Sequence, residues 1–121
     1  TILVVDDDPD ARDFFITVLE DNGFATVSAR DGNEALQRLE EGFPDLVTLD
    51  ITMPEKSGVG VYRKLRETDR YAGIPVVIIT GVSDDFKQFI SSRRQVPPPE
   101  GYLSKPVEPQ DLVAKVEELL R

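Results

Sequence analysis

Apolar residues along this chain come in short unbroken runs that alternate with stretches of helical spacing. Ile2 to Val5 is the first run, and it ends in three carboxylates, Asp6, Asp7 and Asp8. Four apolar residues without polar alternation suit a strand covered on both faces of a parallel sheet. Asp8 as N-cap with Pro9 at the first helical position predicts a helix start. Ala11, Phe14, Phe15, Val18 and Leu19 fall on one face of that helix, and Asn22-Gly23 stops it. Phe14 and Phe15, like Phe86 and Phe89 further on, are expected in the core.

Ala25 to Ala29 alternates small apolar with polar residues, as a strand at a sheet edge does. Asp31 with Glu34 three residues on has the form of a capping box, and Ala35, Leu36 and Leu39 give the next helix its core face before Gly42 closes it. Leu46 to Leu49, bracketed by Pro44 and Pro54, runs straight into the carboxylate of Asp50. Pro54 to Gly58 reads as a loop, and Val61, Tyr62 and Leu65 line a helix to about Thr68. Ile74 to Ile79, rich in β-branched residues, is the most strand-like segment and ends in Thr80-Gly81. Ser83 can cap a further helix, with Phe86, Phe89 and Ile90 expected inward, and Pro97, Pro98 and Pro99 are expected to end it as a short polyproline segment. Gly101 to Ser104 is a brief strand ending in Lys105-Pro106. Pro109 opens the last helix, with Leu112, Val116, Leu119 and Leu120 inward.

Five strands alternating with five helices predict an α/β fold with a parallel sheet, right-handed crossovers and helices on both faces. In 121 residues the flavodoxin-like (βα)5 order 2-1-3-4-5 is favoured, as one doubly wound domain spanning residues 1–121. A start and a stop at elements of structure, without an initiator Met, suggest a domain trimmed from a longer chain. The longest apolar run is far too short to span a bilayer, and there is no signal peptide, so a cytoplasmic location is expected.

Composition narrows the chemistry. With no Cys and no His, disulfides, thiolate or imidazole metal ligands and nucleophilic triads are ruled out. A formal charge of −9 argues against direct contact with nucleic acid or an anionic membrane surface. The predicted strand order makes strands 1 and 3 neighbours, so Asp6 and Asp7 lie beside Asp50 at the switch point, with Thr80 and then Lys105 on the next strand ends. Ligands collect at that edge of open α/β sheets. Each residue has a plainer role when taken alone: a helix cap or dipole compensation for the aspartates, a strand end for Thr80, a solvated charge for Lys105, half-buried core for Tyr102. Convergence of several at one sheet edge is what independent structural causes do not produce. Carboxylates about 5 Å apart repel by roughly 3 kcal/mol per pair at an effective dielectric of about 20. A divalent cation offsets that best, and oxygen ligands alone point to Mg²⁺ rather than Zn²⁺. A carboxylate beside such an ion can act as nucleophile toward a phosphoryl group. No GxxxxGK[ST] cradle indicates a nucleotide.

The acidic group after the first strand, the D-x-x-M-P-x-x-x-G run from Asp50 to Gly58, Thr80-Gly81 and Lys105-Pro106 together resemble a response regulator receiver domain of two-component signalling. The resemblance covers nearly the whole chain. It implies Asp50 as phosphoacceptor, Asp6 and Asp7 as the metal-binding pair for Mg²⁺, Thr80 as the hydroxyl that moves toward the phosphoryl group and Lys105 as its counter-ion. It also implies the backbone carbonyl of Thr52 as a metal ligand, Tyr102 as the switch aromatic and a cis Lys105-Pro106 bond. Its partners are a sensor histidine kinase or a histidine phosphotransfer protein, and the domain catalyses only its own phosphorylation and dephosphorylation. By the same resemblance, Thr52 and Val82 tune dephosphorylation, and Val82, which cannot orient water by hydrogen bonding, implies a comparatively long-lived phosphate.

Two departures stand out. Three prolines occupy the stretch from Val96 to Glu100 where many members carry Gly-Ala. Gly101 before Tyr102 and Val107 after Pro106 break the pattern of the large DNA-binding subfamily, so its dimer is not carried over. Two rivals remain: a pseudo-receiver, an interaction module with an idle pocket, and a phosphatase of the haloacid dehalogenase type with the phosphate on Asp6.

Overall fold

The computed structural model describes residues 1–50, 58–80 and 100–120. Five strands form one parallel sheet: β1 (Ile2–Val5), β2 (Thr26–Ala29), β3 (Leu46–Asp50), β4 (Val76–Thr80) and β5 (Gly101–Ser104). Their order is β2-β1-β3-β4-β5, the doubly wound order the alternation of elements predicts. Among the described residues four helices accompany them, α1 (Pro9–Asp21), α2 (Gly32–Glu41), α3 (Gly58–Glu67) and α4 (Pro109–Leu120). The predicted helix from Ser83 with Phe86, Phe89 and Ile90 lies outside the described residues, as do Pro97 to Pro99 and the loop from Pro54 up to Gly58.

Helix ends follow local chemistry. The Asp8 carboxylate caps α1 by accepting the Asp10 N–H at 3.0 Å, with Pro9 at the first helical position. At the other end Gly23 takes φ +91°, its N–H reaches Glu20 O, and the Phe24 N–H reaches Leu19 O, a Schellman stop that only a residue free of a Cβ enters without strain. The capping pair of α2 is real but offset. Glu34 N–H donates to Asp31 Oδ1 at 2.8 Å, while the Glu34 carboxylate reaches back to the Arg30 N–H at 3.1 Å, one residue before the cap.

Successive strand residues face opposite sides of the sheet, which divides the core in two. Leu3, Val5, Val47, Leu49, Val76 and Ile78 pack against Ala35 and Leu39 of α2 and Val61, Tyr62 and Leu65 of α3. Ile2, Val4, Leu46, Val77 and Ile79 pack against Phe15 and Leu19 of α1 and Leu112 and Val116 of α4. Each such buried aliphatic side chain contributes roughly 1.5–3 kcal/mol. An exposed pair such as Arg63–Glu67 is worth well under about 1 kcal/mol, so burial rather than surface charge sets the sheet order. β2 lies at the sheet edge, buried only at Ala29.

Three expectations need correcting. Phe14, expected in the core, is 39% exposed, because a helical face one residue narrower than its apolar pattern gives the inward slot to Phe15. The Phe14 ring rests edge-on against Phe15, centroids 5.6 Å apart. Ile16, absent from the predicted face, packs against the core in part. β4 begins at Val76 rather than Ile74, since Pro75 lacks an N–H and joins the ladder only as acceptor from Val47 N–H.

Thr48 on β3 is buried among the α1 and α4 side chains' sheet face, and its Oγ1 has no hydrogen-bond partner among the described residues. A buried unsatisfied hydroxyl costs about 1–3 kcal/mol. Thr48→Val is therefore expected to stabilise the fold by about 1 kcal/mol, read as a higher urea midpoint at unchanged slope.

Candidate functional site

Strand register brings the site together. Val5 of β1 lies opposite Leu49 of β3, so Asp6, just past β1, and Asp50, the last residue of β3, lie side by side at one edge of the sheet. Both are almost fully buried, at 0% and 1% exposure, whereas Asp7 is exposed. One oxygen from each of Asp6, Asp7 and Asp50 lies within 4.8 Å of the others. Lys105, one residue beyond β5, sends its Nζ to Asp6 Oδ2 and to Asp50 Oδ2, each at 3.3 Å.

Further contacts fix Asp6. The Asp8 N–H donates to Asp6 Oδ1 at 3.0 Å, so the residue that caps α1 also orients its neighbour's carboxylate. Arg12 Nη1, one turn into α1, donates to the Asp6 carbonyl at 2.9 Å. Arg12 was not singled out by sequence reasoning, and its position four after Asp8 on a helix carries no distinguishing signal.

Burial pushes the Asp6 carboxyl above its usual range, helped by the Asp50 charge, against the opposing Asp8 N–H and Lys105. Burial works on Lys105 in the other sense, yet Asp50 and Asp6 outweigh it and hold its ammonium above the ordinary value. The cationic form of Lys105 is thus firmly held at neutral pH, one ammonium set against a group of three carboxyl side chains with a formal surplus of negative charge. An all-oxygen donor set with surplus charge fits a hard divalent cation that keeps several waters.

The remaining predicted residues stand as follows. Thr80 ends β4 opposite Ser104, which puts its backbone at the same edge of the sheet. Tyr102 lies opposite Ile78, half-buried against the α2 and α3 side of the core, and burial raises its hydroxyl pKa. The Lys105-Pro106 peptide is cis, as the resemblance implies. Thr52 and Val82 lie outside the described residues. Beside the acidic cluster, a groove of about 550 Å³ is lined by Asp8, Asp10, Ala11, Phe14, Phe15, Lys105, Pro106 and Val107. Phe14, misplaced by its sequence pattern, belongs to this wall.

Known proteins resemble this chain in both sequence and fold. The DNA-binding response regulator MtrA of Mycolicibacterium smegmatis is 38% identical over 120 residues, covering 99% of this chain and 50% of the relative. The phosphate regulon transcriptional regulatory protein PhoB of Escherichia coli is 34% identical over 122 residues, covering 99% and 51%. The chain spans about half the length of the curated relatives it matches. Among solved structures, the receiver domain of NtrX from Brucella abortus superimposes with a TM-score of 0.87 at 30% identity, covering 99% of this chain and 98% of that one. Chemotaxis protein CheY4 of Vibrio cholerae gives 0.86 at 28% identity, covering 98% and 97%. The family model of the response regulator receiver domain matches residues 2–117, and with these relatives it shows that the chain belongs to that family.

Proposed function

We propose that Asp50 accepts a phosphoryl group from a phosphohistidine on a sensor histidine kinase or a histidine phosphotransfer protein, with Mg²⁺ bound by Asp6, Asp7, Asp50 and the Thr52 carbonyl. The observation that carries this is the convergence of a buried Asp50 with Asp6 and Lys105 from two other strand ends. The chain has no His, so the donor is a second protein or site. An Asp50 oxygen attacks phosphorus, the phosphorus–nitrogen bond breaks, and its electron pair stays on the donor imidazole. The product is an acyl phosphate. Lys105 offsets the charge gathering on the phosphoryl oxygens, and Thr80 offers a hydroxyl to one of them. Mg²⁺ when bound neutralises that charge and the repulsion among the carboxylates.

The groove walled by Phe14 and Lys105 lies beside the acidic cluster, Lys105 itself contacting Asp50, and suits the approach of the donor. Phosphorylation then favours a second packing, with Thr80 drawn in and Tyr102 turned inward, reported on the face built from β5, α4 and the predicted helix from Ser83. The domain signals from the cytoplasm. No described helix is long and apolar enough to cross a membrane. MtrA is a DNA-binding response regulator, but the charge of −9 on this chain disfavours contact with nucleic acid by the domain itself.

The phosphatase rival needs Asp6 as nucleophile, yet both Asp6 carboxylate oxygens are engaged, by Asp8 N–H and by Lys105. The idle-module rival needs partner affinity that is indifferent to Asp50→Ala.

Metal binding is tested by melting the domain across a Mg²⁺ titration. A ligand at about 100 times its dissociation constant adds about 2.7 kcal/mol, a rise of roughly 10 °C in a domain of this size. The rise is expected to vanish in Asp6→Ala and to shrink in Asp7→Ala. An unchanged Tm at millimolar Mg²⁺ contradicts the metal site.

A further inference from the structure

Arg66 sits in the last turn of α3, where a guanidinium is ordinarily solvated, yet its side chain is 3% exposed. Its Nε donates to the Tyr62 hydroxyl at 3.1 Å, and Nη1 donates to the carbonyls of Ala72 and Ile74 at 3.0 and 2.9 Å. Nη2 donates to Glu100 Oε1. The guanidinium also lies over the Tyr62 ring, 4.9 Å from its centroid. One planar fork thus joins α3, the connection to β4 and the residue before β5, which a lysine ammonium cannot do from one position.

Glu100 completes the arrangement from the other side. The oxygen that takes Arg66 also accepts the Val76 N–H at 2.8 Å, and the Glu100 N–H donates to Val76 O at 3.1 Å. Both backbone groups of Val76 therefore end on one residue, just before the β4–β5 ladder begins at Val77 and Gly101. Pro97, Pro98 and Pro99 have no N–H, so Glu100 is the first residue after them able to donate to β4. Tyr102 follows two residues later and packs against the cluster that holds Tyr62, Leu65 and Ile78.

We propose that Arg66 and Glu100 clamp the base of β5 and so provide the fixed backbone against which Tyr102 turns when Asp50 is phosphorylated. This rests on the reading of Tyr102 as the switch. A ring rotates between two discrete packings only if its backbone stays in place, and a β5 free to shift at its base spreads the change along the strand instead. Arg66 is then a positioning residue, and the clamp makes α3 part of the switch although α3 contributes no ligand to the phosphoryl group.

The test uses ¹³C-tyrosine NMR of the domain with Mg²⁺, before and after acetyl phosphate, the Tyr102 signal being assigned among three tyrosines with Tyr102→Phe. Glu100→Ala and Arg66→Met are expected to keep phosphate uptake within about twofold and to lose about half or more of the Tyr102 shift. Exchange of the Val76 amide is expected to rise about tenfold or more. Glu100→Gln, which retains an acceptor for Val76 and Arg66, is expected to respond like the unmodified domain. If Glu100→Ala does not fold, Arg66→Lys decides, because it keeps the charge and loses the fork. A full Tyr102 shift in the clamp variants, or unchanged Val76 exchange, overturns the proposal. An unmodified domain that takes up phosphate with no Tyr102 response removes the switch reading itself, and the clamp's role with it.

Discussion

Asp50→Asn is expected to lower phosphate uptake by about 100-fold or more, equivalent to roughly 2.7 kcal/mol on the barrier. The amide has no anionic oxygen to attack phosphorus, while its shape and burial match the carboxylate it replaces. Stability is the informative control. Asp50 sits in a cluster whose oxygens lie within 4.8 Å of one another. Removing one charge relieves repulsion of roughly 3 kcal/mol per pair at about 5 Å, and it also removes one of the two carboxylates that Lys105 contacts. These effects oppose each other, so the metal-free melting temperature is expected to stay level or rise. Uptake is read by intact mass after incubation with acetyl phosphate and Mg²⁺. Undiminished uptake in a folded Asp50→Asn domain contradicts the assignment of the nucleophile.

Lys105→Met is the second large effect, expected at about 10–100-fold in uptake rate, or roughly 1.4–2.7 kcal/mol. Its ammonium is 3.3 Å from both Asp6 and Asp50, and the side chain is 27% exposed, so solvent screens the pair only in part. Removing one partner of a buried pair leaves uncompensated charge. Here that amounts to about 2–3 kcal/mol of stability without Mg²⁺, at the low end because Lys105 retains some exposure. The sign with pH follows from its raised pKa. The stabilisation is fully present below the ordinary lysine value of 10.5 and is lost as pH rises through the higher folded value. Near neutral pH the variant therefore shows the whole loss. Mg²⁺ is expected to restore stability more than rate, since its charge would offset the carboxylates without replacing the hydrogen bonds that Lys105 would give the phosphoryl oxygens. A variant equal to the parent in both respects contradicts the counter-ion role.

How far the fold was legible depended on whether a residue's surroundings were set by its own stretch of chain. The runs Ile2 to Val5 and Leu46 to Leu49 announced buried strands because both faces of a central parallel strand are covered, and their register then put Asp6 beside Asp50. Caps at Asp8, Gly23 and Asp31 were legible for the same reason, being local backbone chemistry. Phe14 was not. A 3.6-residue period marks a face without fixing its edges, and only packing against β1 and α4 decides that Phe15 takes the core. Sequence order also could not rank Asp6, fully buried, against Asp7, exposed. Arg66 and Glu100 were missed altogether, because they lie 34 positions apart and each alone reads as a surface charge. The available signal was a lone acidic residue between three prolines and a glycine: the prolines offer β4 no N–H donor, so Glu100 is the first residue after them that can donate to it, and its carboxylate can accept beside that bond.

In the proposed mechanism Asp50 alone carries the phosphate. Mapping by peptide mass spectrometry after acetyl phosphate treatment, with Mg²⁺ and with chelator, tests it most directly. Phosphate is expected on Asp50, present with Mg²⁺ and absent with chelator. Phosphate on Asp6, or no modification in a domain shown separately to bind Mg²⁺, contradicts it.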